Sequence, residues 1–346
     1  MKTRITELFG IQHPLLLPGM SWISTPELVA AVSNAGGLGI LATGPLNAEQ
    51  TRDAIRKIRT LTDKPFGIGA TLMMPGATEN AKVALEEQVP VINFSLGKGD
   101  WIVKQAHAYG GKVIATVVSE KHAKSAEKIG ADALLVTGHE AAAHGGDVTS
   151  LVLVPAIASK VSIPVIATGG FADARGLVAA LALGAEGIAM GSRFATTSDS
   201  PLHQNTKDAV VNHKEGDTLY GNNFDGLYAR VMRTPASIKA MKKPMGFIKA
   251  ALLSVKAAKI ANMPVSTVLA GLVVQFDKVR LLSLFGAATE KIQAATVDGN
   301  LEKGVQFIGQ TQGLIEDQPT VQELVDRIMD EAKTLSEKLN TLTASN

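Results

Sequence analysis

Residues 164–194 read PVIATGGFADARGLVAALALGAEGIAMGSRF. Pro164 stands before the apolar run Val165–Ala167, where a missing N–H and a fixed φ suit the entrance of a strand. Gly169-Gly170 ends that run. Ala172–Leu183 then carries apolar residues every three to four positions, the spacing of a helix with one buried face. Gly184 offers a left-handed helix cap, and a second strand candidate, Gly187–Met190, follows. Strand, helix and strand within about thirty residues is the βαβ unit of a parallel sheet.

The same rhythm extends outward over residues 10–195. Further strand candidates are Leu15–Leu17, Leu38–Leu41, Phe66–Ala70, Val91–Phe94, Lys112–Val117 and Ala133–Val136. Pro14, Pro65 and Pro90 introduce three of them, and Gly36-Gly37, Gly110-Gly111 and Gly130 the others. Between them, Thr25–Ala35 opens with a Thr-Pro helix start, and Ala48–Thr62 is amphipathic. Apolar strands alternating with helices imply a parallel sheet covered on both sides. Eight strands, with no dinucleotide glycine fingerprint opening the first unit, favour a (β/α)8 TIM barrel over an open sheet.

After about residue 200 the strand signal fades. The expected organisation is a barrel over residues 1–210, a helical lid or substrate subdomain over 211–310, and a C-terminal segment over 311–346 whose helix, Val321–Leu342, packs back on the barrel. From Gly226 to Phe276 there is no acidic residue, while Arg230, Arg233, Lys239, Lys242, Lys243, Lys249, Lys256 and Lys259 accumulate. That stretch reads either as a solvated lid surface or as a rim for an anionic substrate, a nucleotide or an acidic partner.

Composition narrows the chemistry. The 346 residues contain no cysteine, which excludes disulfides, a thiol nucleophile and cysteine-held zinc or iron–sulfur centres. Redox chemistry would have to come from a bound cofactor. A net charge of +2 gives no electrostatic case for nucleic acid. The opening MKTRITELFGIQHP lacks a secretory signal pattern, and no apolar run is long enough to span a membrane, so a cytoplasmic protein is expected.

In such a barrel the loops after the strands build the active site, and phosphate often binds after the seventh and eighth. There this chain has Gly169-Gly170 and Gly191-Ser192. Glycines let backbone N–H groups approach phosphate oxygens, a helix starting after Gly170 adds its dipole, and Ser192 adds a hydroxyl. Either pair alone also reads as a tight turn; two pairs on adjacent strand ends favour a phosphate-bearing ligand. After strand six comes GHEAAAHGG, residues 138–146. His139 and His144 lie five apart, unlike the H-E-x-x-H zinc pattern, so no metal is expected. His144, among small residues, is the acid/base or anion-contacting candidate, and His139 a structural one. After strand one, Gly19, Met20, Ser21 and Trp22 would face a flat ring or simply pack the mouth.

Taken together, HPLLLPGM (13–20), AAVSNAGGLG (30–39), GHEAAAHGG (138–146) and the stretch 167–194 resemble the nitronate monooxygenase family, FMN-dependent TIM-barrel oxidoreductases. The resemblance implies FMN as cofactor, with Gly19, Met20 and Ser21 along the flavin ring, Thr71 and Ala143 in contact with it, and Gly169, Gly170, Gly191 and Ser192 on its phosphate. His144 takes the position of the catalytic histidine. The implied reaction is oxidation of an alkyl nitronate by O2, with a nitronate or nitroalkane as small-molecule substrate. Relatives include NAD(P)H:quinone reductases and flavin-dependent enoyl-acyl-carrier-protein reductases, and the basic stretch 230–259 would suit an acidic carrier. A flavin-free aldolase or isomerase holding a phosphorylated metabolite fits the same glycines. A homodimer is left open. Three positions depart from the family: Gly69 stands where relatives commonly have Asn, Thr116 where some have Lys, and Ala143 where a Gly commonly precedes the histidine.

Overall fold

A computed structural model of the chain describes residues 1–242, 284 and 288–344. Eight parallel strands close into a barrel in sequence order: β1 (Leu15–Leu17), β2 (Leu38–Ala42), β3 (Phe66–Thr71), β4 (Val91–Ser95), β5 (Lys112–Val117), β6 (Ala133–Thr137), β7 (Val165–Thr168) and β8 (Gly187–Ala189). The closure is direct, with Leu15 opposite Ile188 and Leu16 opposite Ala189. The TIM barrel expected from the sequence is the observed fold. The glycines placed before four strands serve as helix caps, since Gly36, Gly110, Gly130 and Gly184 all have φ between 86° and 90°.

Alternation along each strand divides the apolar residues between two layers. Leu16, Leu38, Ile40, Val91, Ile114, Leu135 and Ile166 fill the barrel interior. They share that cluster with Ile5 and Phe9 of the first helix, Arg4–Phe9, which therefore plugs the end opposite the strands' C-termini. Leu15, Leu17, Ile68, Ile92, Val113 and Leu134 belong to a larger cluster with the surrounding helices. Side-chain caps fix where several helices begin. Asn47 Oδ1 accepts from the Gln50 N–H at 2.9 Å, and Ser119 Oγ accepts from His122 N–H at 3.3 Å.

Beyond the barrel the structure differs from a purely helical reading. Residues 218–232 form an antiparallel hairpin, β9 (Thr218–Gly221) and β10 (Ala229–Met232), with Arg230 opposite Tyr220. These strands are short and sit among Gly, Asn and Asp, so no long alternating pattern marks them. The helix Pro235–Lys242 follows, and residues 288–296 are helical. Most of the segment Pro235–Gln275 lies outside the described residues, as do Lys243, Lys249, Lys256 and Lys259 of the basic stretch. Of the described members, Arg233, Lys239 and Lys242 are exposed, whereas Arg230 is buried and belongs to no basic rim.

The last helix, Val321–Thr343, starts with a capping box in which Thr320 accepts from Glu323 N–H at 3.2 Å. Val321, Leu324, Val325, Ile328 and Ala332 line its buried face against the helices Ala174–Ala182 and Pro26–Asn34. No described helix is long and apolar enough to cross a membrane.

Candidate active site

The C-terminal ends of the strands open into a cavity of about 870 Å3. All ten residues singled out from the sequence line it: Gly19, Met20, Ser21, Thr71, Ala143, His144, Gly169, Gly170, Gly191 and Ser192. His139 does not. Its Nδ1–H donates to the Gly146 carbonyl at 2.9 Å and its ring meets Tyr220 edge-on, so it holds the loop rather than facing a ligand.

At the proposed phosphate end, Gly169 and Gly170 have φ of +92° and +88°, a region closed to most side chains. A Cβ at Gly169 would lie 3.0 Å from both Ala141 N and the Gly138 carbonyl. The backbone is thus packed directly against the loop after β6, with no room for a side chain. The Ser192 hydroxyl oxygen accepts from Gly309 N–H at 3.0 Å, which leaves its own proton to donate. The helix dipole expected here is already used. That helix begins only at Ala174, and the Asp173 carboxylate caps it, accepting from Gly176 N–H at 3.0 Å while pairing with Arg175. Backbone amides and the Ser192 hydroxyl remain as the anion-binding groups, a set that fits a phosphate.

Glycines also clear the wall beside that end, where β1 pairs with β8 and a Cβ on Gly191 would lie 3.4 Å from Met20 Sδ. Gly19 and Gly69 face each other so closely that a Cβ on Gly69 would lie 3.7 Å from the Gly19 Cα. Such a wall, with Met20 beside it, fits a planar ring. On the neighbouring strand Asn93 is the register partner of Gly69 and also lines the cavity. Asn93 is buried and donates to the Ile114 carbonyl at 3.1 Å and to Thr116 Oγ1 at 3.0 Å. Thr116 therefore anchors an amide where some relatives carry a cation. Sequence reasoning passed over Asn93, although a lone amide inside the apolar strand Val91–Ser95 was a usable signal.

His144 is carried by the loop after β6, and that loop is pinned by the hairpin. Ala143 N–H donates to the Arg230 carbonyl at 3.1 Å, and Arg230 N–H returns a bond to the Ala143 carbonyl at 2.9 Å. Ala143 pays for this register with a left-handed φ of 57°, which a glycine would adopt without strain. The Arg230 side chain turns away, donating to the His139 carbonyl and, at 2.8 Å, to Thr218 Oγ1. Burial lowers its guanidinium from the ordinary value. The Tyr220 hydroxyl donates to the Gly145 carbonyl, and burial together with Asp147 raises its phenol above the usual range. On the cavity side His144 Nε2 lies 2.8 Å from Asp225 Oδ2, and its ring meets Phe307 edge-on. Asp225, absent from the sequence reading, is buried and comes from the hairpin connection. Among the described residues no cluster of His, Cys, Asp and Glu is arranged to hold a metal ion.

Comparison with known proteins shows the family and the fold. The family described as nitronate monooxygenase matches residues 2–87 and 76–331. A protein of Rhodococcus jostii (strain RHA1), named (3aS,4S,5R,7aS)-5-hydroxy-7a-methyl-1-oxo-octahydro-1H-indene-4-carboxyl-CoA dehydrogenase, is 37% identical over 99% of both chains. A probable nitronate monooxygenase of Staphylococcus aureus (strain Newman) is 34% identical over 66% of this chain and 78% of its own. The solved structure of FabK from Thermotoga maritima is 36% identical, covers 99% of both chains and superposes with a TM-score of 0.84. Nitroalkane oxidase from Streptomyces ansochromogenes shares the fold at 22% identity and a TM-score of 0.77, over 97% of this chain and 99% of its own. With the barrel, the cavity and its histidine in place, and the family match running through nearly all of them, the chain belongs to the nitronate monooxygenase family of flavin-dependent oxidoreductases.

Proposed function

We propose that the protein is an FMN-dependent oxidoreductase acting at the α,β-carbons of an acyl thioester. The observation that carries this reading is the outer wall of the cavity. Ala288, Ile292 and Phe307, all from the last third of the chain, line it, and Phe307 meets the His144 ring edge-on. The relatives named as carboxyl-CoA dehydrogenases match this chain over 96–99% of its length, whereas the Staphylococcus aureus relative matches 66%. An apolar wall suits a carbon skeleton bulkier than a small nitronate, and a cavity of about 870 Å3 has room for it beside a cofactor.

The bound cofactor would supply hydride transfer. The glycine pairs and Ser192 would hold its phosphate, and Gly19, Met20, Ser21, Thr71 and Ala143 its ring system. His144 would take the proton from the carbon next to the thioester carbonyl as the β-hydrogen leaves as hydride, and return it in the reverse direction. Phe307 would keep water from the proton-transfer path, which strengthens electrostatic contacts inside. Family membership sets aside a flavin-free aldolase or isomerase.

A second reading, oxidation of an alkyl nitronate by O2, rests on the family match and uses the same histidine against an anionic substrate. Anaerobic mixing of FMN-loaded protein separates the two. Bleaching of the flavin by a saturated acyl-CoA, or reoxidation of NAD(P)H-reduced protein by an enoyl-CoA, is the expected result. Bleaching by nitronate alone would overturn the thioester reading. Reoxidation by a quinone but by no enoyl thioester would replace it with quinone reduction.

A further inference from the structure

We propose that Asp225 is a positioning residue for His144, fixing the imidazole as its Nε2–H tautomer. This rests on the reading of His144 as the proton carrier. The Asp225 side chain is 1% exposed, and its two oxygens have separate duties. Oδ1 accepts from Leu227 N–H at 3.1 Å, and Oδ2 faces His144 Nε2 at 2.8 Å. A carboxylate so buried needs partners that stabilise its charge. Asp225 receives one backbone N–H and one imidazole, and Arg230 on the same hairpin is committed elsewhere, to His139 and Thr218. A carboxylate accepts a hydrogen bond and donates none, so the ring nitrogen facing it carries the proton.

The placement is built in, not incidental. Residues 144 and 225 are far apart in sequence, yet the paired bonds between Ala143 and Arg230 hold the histidine loop against the hairpin that carries Asp225. Phe307 meets the His144 ring edge-on, and Phe224 meets Phe307 in the same way, so aromatic rings pack on one side of His144.

The test compares Asp225→Asn, Asp225→Ala and His144→Asn as flavin-loaded proteins. It measures FMN affinity, the kcat–KM split for flavin reduction by acyl-CoA, and 15N spectra of histidine-labelled protein. In Asp225→Asn the amide oxygen keeps the Leu227 N–H, which turns the Nδ2 donor toward His144 and favours the opposite tautomer. Expected are an unchanged FMN affinity, kcat lower by about 10²–10⁴-fold with KM within a few-fold, and a His144 signal moved from Nε2–H to Nδ1–H. A wild-type spectrum showing Nδ1–H at His144 overturns the proposal even if neither Asp225 variant folds. So does a kcat for Asp225→Asn and Asp225→Ala within threefold of wild type. Full turnover in His144→Asn, with the wild-type tautomer as expected, would instead remove His144 as proton carrier and leave its positioning by Asp225 intact.

Discussion

Asp317→Ala should destabilise the protein by about 3 kcal/mol, and the reason lies one residue beyond the proposed phosphate site. Arg193 follows Ser192 and its side chain is 2% exposed. Its Nη2 lies 2.5 Å from Asp317 Oδ1, and its Nη1 donates to the Asp317 carbonyl at 3.0 Å. Removing the partner of a fully buried charge costs about 3–5 kcal/mol, and a single hydrogen bond to a charged group about 1.5–3. Asp317 is 45% exposed and its backbone carbonyl survives the substitution, so the loss belongs near the overlap of those ranges. Arg327 holds the same carboxylate from the solvent side, Nη1 to Oδ2 at 2.6 Å, and Arg327→Ala should cost less than about 1 kcal/mol. Desolvation falls on the arginine: burial lowers the Arg193 guanidinium despite Asp317. The hydrogen bond from Arg327, followed by Arg193, holds the Asp317 carboxyl below its ordinary value of 3.8. The carboxylate's contribution is therefore present above about pH 4 and lost as pH falls through the lowered folded value. Urea unfolding at pH 7 and pH 3, read as a midpoint shift at constant slope, measures both effects. A loss under 1 kcal/mol at pH 7, or a gap between wild type and variant that widens at pH 3, refutes the reasoning.

Gly169→Ala should lower flavin stoichiometry and cost about 2 kcal/mol or more, because φ of +92° and two backbone atoms at 3.0 Å both oppose a Cβ. Absorbance of the purified protein and its unfolding midpoint check this. Ala143→Gly should stabilise by about 0.5–1 kcal/mol, the relief of a left-handed alanine less the entropy gained by the unfolded chain, and urea unfolding would show it. His13 has a buried Nδ1 without a hydrogen-bond partner among the described residues, and burial followed by the N-terminal ammonium lowers its pKa below 6.5. Stability tied to its neutral form is present above that value and lost as pH falls through the lowered one. His13→Leu should therefore flatten the fall in melting temperature between pH 7 and pH 5.

The barrel was legible because its signals are local. Proline at a strand entrance and glycine at a helix cap act through their own φ and N–H, so Pro164 and Gly184 mark their positions whatever packs around them. Gly169 and Gly170 are readable for the same reason. The remaining features of the site depend on partners that no window contains. Asn93 comes to stand beside Gly69 only because β3 and β4 pair in that register, which no reading of either strand alone contains. Asp173 captures the helix terminus expected to serve a ligand, although a capping aspartate before Ala174 was visible in the sequence. Asp225 stands in NNFDGLY, where Asn, Asp and Gly read as turn residues and the acid looks solvated. Only the bridge between Ala143 and Arg230 converts it into a buried partner of His144. The same bridge accounts for the strained alanine: the register that delivers the carboxylate holds position 143 at a left-handed φ that a glycine would take without strain. If so, Ala143→Gly should gain stability while leaving the His144–Asp225 contact in place, and a glycine variant that loses the Nε2–H tautomer would show that the strained alanine itself helps to aim the histidine.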